Sequence, residues 1–292
     1  MEFKKIELCD KEILSPYLKS ANELTCELSF TNLLIWQPLY NNCYTIEDGA
    51  LFLKSYDSEI ETYSLPFGDM VRGMQKIIDH CGRLPDIWAQ DGERYRKFIE
   101  IYGKYYNVFE SRNEFDYIYN SCDLINLQGK KYHSKRNHIS AFSKQFDWHY
   151  EDITADNLSM VKSCAQKWYS QNAERMDDEL KTEMNGVFLT LNNMEFLGIK
   201  GGAIVVNGEV IAFTLGSAIN DTVFNIHTEK ALADFNTAYT IINKEFAAKH
   251  ASDYKYINRE DDLGIEGLRR SKLSYQPQII LPKYICTPKE NI

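Results

Sequence analysis

Ionisable side chains are concentrated in a short segment near the end of the chain. An alternating apolar run at residues 254–257 stops at four consecutive charged residues, Arg259, Glu260, Asp261 and Asp262. A buried strand that ends in so many ionisable groups brings them to the rim of a sheet, where open α/β folds place their ligands. Carboxylates there could bind an amine or accept a proton from a nucleophile. The alternative is a solvated loop without a chemical role.

A group of cations follows shortly afterwards. A short helix that is predicted from Glu266 carries Arg269, Arg270 and Lys272. Arg269 and Lys272 are three residues apart, so they are expected on the same side of this helix. Acids and bases that converge in this way favour a site for a polar or anionic substrate. The alternative is a lysine that only interacts with the dipole at the end of the helix.

A predicted helix over residues 127–146 carries the third set of candidates. Its cationic residues are Lys130, Lys131, Lys135, Arg136 and His138. An apolar stripe runs beside them and consists of Tyr132, Ile139, Phe142 and Phe146. Because Lys131, Lys135 and His138 share one side of the helix, they suit contacts with phosphates. Lysines along the rim of a buried face can have the same pattern without binding anything.

Length and composition limit the possible classes of protein. The 292 residues suffice for two domains, and 44% hydrophobic with 26% charged residues is typical of a globular protein. No segment has the roughly 20 apolar residues of a membrane span, and the N-terminus lacks the apolar core of a signal peptide, so we expect a cytoplasmic protein. Seven scattered cysteines without a Cys-x-x-Cys pair predict neither disulfides nor a metal site. With a net charge of −9, a nucleic acid or an anionic lipid surface would have to bind through a local basic patch.

The elements that must position these residues follow a recognisable order. The second half is predicted to contain helices at 127–146, 155–170 and 178–191, strands at 203–206, 210–218 and 222–228, a helix after Asp234, a strand at 254–257, a helix from Glu266 and a strand at 278–285. The Asn207-Gly208 pair predicts a tight hairpin between two of the strands. This order resembles the GNAT acyltransferase fold. The first half has predicted helices at 13–18, 30–36 and 70–81 and strands at 44–46, 51–54 and 87–89, which fits a second, degenerate copy.

Four motifs are similar to those of the phosphatidylglycerol lysyltransferase C-terminal family. They are Glu-Gly-Leu-Arg with a later Lys and Pro at residues 266–277, Gly-Lys with a later Arg at 129–136, and the segments 29–36 and 65–68. The resemblance implies an α/β (α+β) protein of two tandem GNAT-like domains, related to the aminoacyl-tRNA-dependent Fem transferases, with mixed and mainly antiparallel twisted sheets. We expect the domains to be residues 1–123 and 124–292. The resemblance also places a family lysine at Lys272, near the terminal phosphate or the reacting ester.

The residues and the resemblance together predict an aminoacyltransferase that moves an aminoacyl group from aminoacyl-tRNA to a lipid or another hydroxyl or amine acceptor. Lys272 and Asp261 are the predicted catalytic residues. The predicted substrate-binding residues are Arg259, Glu260, Asp262, Arg269, Lys130, Lys135 and Arg136. Arg259 and Arg269 should line one cleft together with Asp261 and Lys272, and the basic helix from Lys130 to His138 should lie at its edge. No covalent enzyme intermediate is required, because the ester is already activated.

No cofactor is expected. The segment from Lys230 to Ala238 contains no glycine, whereas a loop that binds the pyrophosphate of CoA needs glycines and exposed N–H groups. Acyl-CoA is therefore disfavoured as the donor. Two alternatives stay open: an acyl-CoA N-acyltransferase that binds its cofactor differently, and a non-catalytic GNAT-fold protein that binds an anionic ligand or another protein.

Overall fold

The computed structural model of the protein describes residues 1–57 and 59–290. Residues 291 and 292, the last of the predicted second domain, lie outside this range. Within the described residues the chain forms two mixed seven-stranded sheets with helices packed against them. The structure is therefore of the mixed α/β type that the sequence predicts.

The strands are short in the first sheet and longer in the middle of the second. Their bounds are β1 Lys4–Lys5, β2 Cys43–Glu47, β3 Ala50–Asp57, β4 Ile60–Ser64, β5 Asp86–Gln90, β6 Tyr106–Glu110, β7 Asp116–Asn120, β8 Trp148–Asp152, β9 Lys200–Val206, β10 Glu209–Ala218, β11 Val223–Ala231, β12 Tyr256–Asn258, β13 Ile279–Leu281 and β14 Lys283–Pro288.

Helices alternate with the strands along the chain. Their bounds are α1 Lys11–Ser20, α2 Phe30–Ile35, α3 Gln37–Tyr40, α4 Met70–Cys81, α5 Glu93–Tyr102, α6 Ser121–Asn126, α7 His133–Gln145, α8 Leu158–Gln171, α9 Asp178–Asn192, α10 Met194–Leu197, α11 Ala238–His250 and α12 Glu266–Leu273. None of the helices in the described part of the chain combines the length and the apolarity that crossing a bilayer requires.

The chain divides into two compact units, and neither is a continuous stretch of sequence. The first comprises Met1–Asp116, Asp261–Glu266 and the residues from Ile280 onwards. The second comprises Tyr117–Glu260 and Gly267–Ile279. The division into domains at Asp123 stays a prediction.

The first unit contains the sheet with strand order β1-β2-β3-β4-β5-β14-β6. Strands β4 and β5 are parallel, and the other pairs are antiparallel. Helix α4 begins where the Asp69 side chain accepts the N–H of Arg72, and it ends at Gly82, which adopts a φ of +66°. Its apolar side buries Met74 and Ile77 completely, which favours folding by about 1.5–3 kcal/mol for each side chain.

The second unit is built on the sheet with strand order β13-β7-β12-β11-β10-β9-β8. Strands β9 and β10 form the predicted hairpin, with Asn207 at φ +51° and Gly208 at φ +81°, as a type I′ turn requires. Strands β11 and β12 run parallel, so that Asn225 lies opposite Asn258. This register brings the residues after β12 beside the middle of β11.

Two predicted elements differ from the structure. The single strand predicted over residues 278–285 is two strands, β13 and β14, that are interrupted at Pro282, and β14 belongs to the sheet of the first unit. The helix predicted from residue 127 begins only at His133, after a 3₁₀ turn at Lys130–Tyr132. Leu127 and Gly129 adopt positive φ values of 47° and 84°, which are incompatible with a right-handed helix.

Candidate functional site

Some of the predicted site residues belong to the first unit and the others to the second. Arg259, Glu260, Arg269 and Lys272 lie in the second unit, as do the residues of the basic helix, whereas Asp261 and Asp262 lie in the first. A common cleft for all of them stays a prediction. The geometry of each unit can be described by itself.

A buried ion pair in the second unit joins two neighbouring strands. Arg259 directly follows β12, and its Nη2 donates a hydrogen bond to Oε1 of Glu229 on β11 at 2.9 Å. The side chains of Arg259 and Glu229 are only 11% and 8% exposed. The other carboxylate oxygen of Glu229 accepts Nδ2 of Asn243 from α11 at 2.9 Å. The rings of Tyr119 and Tyr275 lie 5.7 and 4.8 Å from the guanidinium carbon.

Two polar atoms beside the Glu229 carboxylate are unsatisfied. Among the described residues, Nη1 of Arg259 and Oδ1 of Asn243 are buried and have no hydrogen-bond partner. Buried polar groups are almost always hydrogen-bonded, so each such atom calls for an explanation. A donor and an acceptor on either side of the Glu229 carboxylate suit a small ligand that carries a carbonyl oxygen together with an amine.

Lys272 is buried within the same region. It is 8% exposed, and its Nζ donates to the main-chain carbonyl of Arg259 at 2.6 Å. Its own carbonyl accepts the hydroxyl of Tyr119 at 2.8 Å. The lysine therefore fixes the main chain at Arg259, and its proposed catalytic role stays a prediction. We give the name Arg259 cluster to the group of Arg259, Glu229, Asn243, Lys272 and Lys135.

Lys135 differs from the other cations of the basic helix. It is 8% exposed, its Nζ donates to Oγ of Ser274 at 2.7 Å, and it lies 3.7 Å from the centroid of the Tyr275 ring. The pKa of Lys135 is lowered to about 8, mainly by burial and then by the positive charge of Arg259, while Glu229 opposes both. The predicted stripe is thus not a uniform surface for phosphates, because its central lysine is inside.

The remaining basic residues of this helix are exposed. Arg136 donates from Nη1 to the carbonyl of Leu127 at 2.5 Å and to that of Gly129 at 2.8 Å, so it stabilises the turn before α7. Lys131 forms an ion pair with Asp123 at 2.9 Å. Lys130 is exposed beside them. Contacts of Lys130 and Arg136 with a substrate stay predictions.

Glu260 belongs to a second polar network of the same unit. Its Oε1 accepts Nδ2 of Asn225 at 2.7 Å and lies 3.2 Å from Nδ1 of His227. Nε2 of His227 lies 2.9 Å from Oγ of Ser217. Leu215 pairs with Thr228 and Gly216 with Ile226, so His227 is the extra residue of a β-bulge. The sequence gives no sign of this bulge.

The predicted acidic residues of the first unit have structural partners. Asp262 is completely buried, and its carboxylate lies 3.4 Å from Nη1 of Arg112 and accepts the N–H of Gly264 at 2.9 Å. Asp261 is half-buried, and its negative charge helps to raise the pKa of Lys283. A role of either residue in binding substrate stays a prediction.

The first unit also contains an ionic cluster that sequence reasoning missed. Lys283 of β14 is completely buried, and its Nζ lies 2.8 Å from Asp116 and 2.5 Å from Glu27. Cys26 donates its thiol to Asp116 at 3.3 Å. Burial by itself lowers the pKa of Lys283, but Asp116 and its neighbours raise it well above its usual value. Cys26, Glu27 and Asp116 bring close together side-chain atoms of the kind that bind a metal ion. The ammonium of Lys283 therefore supplies the positive charge at this point.

Comparison with known structures defines the class of the fold. The chain aligns with a conserved protein of unknown function from Bacteroides thetaiotaomicron at 35% identity and a TM-score of 0.91, over 99% of this chain and 100% of the other. L-PGS from Bacillus licheniformis aligns at 14% identity and a TM-score of 0.64, over 97% and 93%. A tandem GNAT protein from the clavulanic acid biosynthesis pathway aligns at 8% and 0.50, over 99% of each chain. The fold is therefore the tandem acyltransferase fold that the sequence predicts.

The family follows from the sequence comparison. The family described as Phosphatidylglycerol lysyltransferase, C-terminal, matches residues 19–287, and the chain belongs to it. Family and fold agree, since L-PGS and the tandem GNAT protein share the fold of this chain. An uncharacterized protein of Mycoplasmoides gallisepticum is 24% identical over 181 residues, which are 61% of this chain and 57% of that protein. The chain thus spans less than two thirds of the length of this curated relative.

Proposed function

We propose that the protein transfers an aminoacyl group from aminoacyl-tRNA to a hydroxyl or amine acceptor, and that the Arg259 cluster binds the reacting ester. The observation that carries the proposal is the unsatisfied Nη1 of the buried Arg259, next to the unsatisfied Oδ1 of Asn243. An aminoacyl ester has a carbonyl oxygen that can accept from Nη1 and an α-ammonium group that can donate to Oδ1. Glu229, between the two, matches the positive charge of that ammonium.

The chemistry needs an oxyanion site more than a nucleophile on the enzyme. As an acceptor attacks the ester carbon, negative charge develops on the carbonyl oxygen, and a preorganised donor stabilises it most effectively where water is excluded. Arg259 is held in place by Glu229, and its main chain is held by Lys272. We propose that Arg259 is the oxyanion donor and that Lys272 adds positive charge behind it.

The choice of donor rests on two observations. Helix α11 begins at Ala238 after a segment without glycine, which does not favour the pyrophosphate loop of a CoA enzyme. Lys130, Lys131 and Arg136 lie exposed around the start of α7 and suit contacts with the phosphates of a nucleic acid. The name of the family points to a lysyl group as the aminoacyl group and to phosphatidylglycerol as the acceptor, and we propose both as the first substrates to test.

The experiment compares donors under identical conditions. The purified protein is incubated with labelled aminoacyl-tRNAs and with acetyl-CoA, each in the presence of phosphatidylglycerol vesicles or of small amine acceptors, and the labelled product is measured. We expect transfer from at least one aminoacyl-tRNA and none from acetyl-CoA. Transfer from acetyl-CoA alone would identify an acyl-CoA N-acyltransferase. Absence of transfer from every donor would favour a non-catalytic binding protein.

A variant tests the part of Asp261 separately. If this carboxylate recognises the side-chain amine of the aminoacyl group, Asp261→Asn changes the relative rates for different aminoacyl groups and leaves the melting temperature nearly unchanged. Asp156→Asn, at an exposed position of the second unit, is the matched control. Equal reduction of all rates by Asp261→Asn would contradict this role.

A further inference from the structure

Strand β6 forms one edge of the first sheet. Within the described part of the chain it pairs with β14 alone, so its other side carries main-chain groups that no strand covers. Val108 and Phe109 on this strand are 40% and 57% exposed. Natural proteins usually protect an edge strand with lysine, proline or a bulge. Strand β6 has neither lysine nor proline, and its register with β14 is continuous, so this edge is open to another strand.

The register with β14 determines which main-chain groups of β6 point outwards. The N–H of Ser111 donates to the carbonyl of Lys283, and the N–H of Lys289 donates to the carbonyl of Tyr105, both at 2.9 Å. Hydrogen-bonded pairs alternate along an antiparallel ladder. The odd-numbered residues from 105 to 111 therefore bond to β14, and the even-numbered residues between them direct their main-chain groups away from it.

The outward groups belong to three residues. Val108 and Glu110 direct both N–H and C=O outwards. Tyr106 directs its C=O outwards, whereas its N–H donates to the carbonyl of Gly103. Pro288 of β14 lies opposite Tyr106, at a position of the ladder where no N–H is needed. The edge thus offers a short, regular row of donors and acceptors.

An apolar row crosses three strands of the sheet and ends at this edge. Phe109 lies opposite Ile285 of β14, and Ile285 lies opposite Trp88 of β5. Residues opposite each other in a sheet share a face and contact each other. Phe109 is the last residue of the row and is exposed, so a strand added to β6 would continue the row and cover the ring.

The charges at the two ends of β6 favour a second copy of the same strand. Lys104 precedes the strand and Glu110 ends it, and both are exposed. Antiparallel pairing of β6 with itself brings Glu110 of each copy diagonally beside Lys104 of the other, where opposite charges attract. Parallel pairing would place like charges together. The strand is therefore complementary to itself in the antiparallel direction.

We propose that two copies of this chain form a dimer through antiparallel pairing of their β6 strands about a two-fold axis at Val108. Val108 of each copy donates its N–H to, and accepts from, Val108 of the second copy. The N–H of Glu110 donates to the C=O of Tyr106 of the second copy. Phe109 lies opposite Asn107 of the second copy and diagonally beside its Phe109, within reach of an aromatic ring. The same patch is used on both copies, as a two-fold interface requires.

Sedimentation equilibrium of the full chain over a concentration series tests the dimer. The mass should rise with concentration from the 34.0 kDa of the monomer towards about twice that value. Val108→Lys and Phe109→Lys remove apolar contacts and place two ammonium groups close together across the axis, so each should weaken dimerisation at least about tenfold. Ile60→Lys is the matched control. Ile60 is 59% exposed on β4 of the same unit, and its substitution should leave dimerisation unchanged.

Disulfide formation tests the register. The two Cα atoms of a hydrogen-bonded antiparallel pair are about 5.5 Å apart, which is within the roughly 4.4–6.8 Å that a disulfide spans. Val108→Cys should therefore link the two copies on mild oxidation, and peptide mass spectrometry locates the bond. In Asn107→Cys the corresponding Cα atoms are roughly 8 Å apart by the rise and spacing of strands, so this variant should not link.

Three outcomes overturn this dimer. A monomer at every concentration shows that the edge of β6 does not bind a second copy. A dimer that both lysine substitutions leave unchanged is formed through another surface. A disulfide in Asn107→Cys but not in Val108→Cys shows that the axis is not at Val108. Melting temperatures within about 2 °C of wild type show that each variant is folded.

Discussion

Arg259 and Glu229 form a buried ion pair in the second unit that engages one terminal nitrogen of the guanidinium group and leaves the other unsatisfied. Nη2 donates to Glu229 at 2.9 Å, whereas Nη1 is buried without a hydrogen-bond partner among the described residues. A structural ion pair would normally engage both sides of an arginine, because an unmade hydrogen bond in the interior costs about 1–3 kcal/mol. The protein therefore tolerates a cost at this point, which is common where a ligand binds.

The first prediction concerns the stability of this pair. Arg259→Met leaves the carboxylate of Glu229 buried without its cation, so we expect the free energy of unfolding to fall by about 3–5 kcal/mol. The double variant Arg259→Met/Glu229→Gln removes both charges and should recover most of that loss. Urea unfolding of the wild type, both single variants and the double variant gives the coupling energy. Additive losses in the double variant would show that the two side chains do not interact.

The second prediction is a pH dependence. Burial lowers the pKa of Lys135 to about 8 from the ordinary 10.5. Between these values the unfolded chain binds more protons than the folded protein, so the free energy of unfolding rises with pH in this window. Lys135→Met should lack this contribution. The variant should therefore gain stability over the wild type below pH 8 and lose that advantage towards pH 10.5. Parallel stability curves for the two proteins would contradict the prediction.

The third prediction concerns the first unit. Lys283→Met leaves Asp116 completely buried and without its cation, so we expect a loss of about 3–5 kcal/mol in the free energy of unfolding. Lys289→Met, at an exposed position of the same unit, should change it by no more than about 0.5 kcal/mol. Equal effects of the two substitutions in thermal and urea unfolding would mean that the buried cluster is not held by Lys283.

The fourth prediction tests the bulge that presents His227. A Cβ at Gly216 would lie 2.6 Å from the carbonyl oxygen of Asn225 on the neighbouring strand, so Gly216→Ala must displace main chain and should cost about 1–3 kcal/mol. Gly267→Ala meets nothing within 4 Å in α12 and should be neutral or stabilising by up to about 1 kcal/mol. A neutral Gly216→Ala would show that the two strands can separate without cost.

Local patterns were sufficient to predict most elements but not the exchange of strands between units. The helix at residues 70–81 has the predicted bounds, because Asp69 caps its start and Gly82 ends it. Strand β14 was expected to extend the preceding strand, since both are apolar and only Pro282 stands between them. Pairing between β14 and the strands β5 and β6 is a long-range contact, and a single sequence carries no sign of it.

Two residues of the proposed site were visible in the sequence, whereas the residues that contact them were not. The charges after β12 and on α12 mark Arg259 and Lys272, because ionisable residues next to apolar runs are visible in the sequence. Glu229 and Asn243, which contact Arg259 or its partner, lie in a strand and a helix whose patterns resemble ordinary core elements. Burial of Lys135 was also hidden, since a lysine at the rim of an apolar stripe usually extends to solvent.

The central claim is that Arg259 stabilises the oxyanion during transfer of an aminoacyl group, and the single-turnover rate of that transfer tests it most directly. Arg259→Lys keeps the positive charge but loses the donor Nη1, so we expect the rate from aminoacyl-tRNA to fall by about 10²–10³-fold. Arg175→Met, at an exposed position of the same unit, should leave the rate unchanged. The account is contradicted if Arg259→Lys, folded as judged by its melting curve, transfers the aminoacyl group at the wild-type rate.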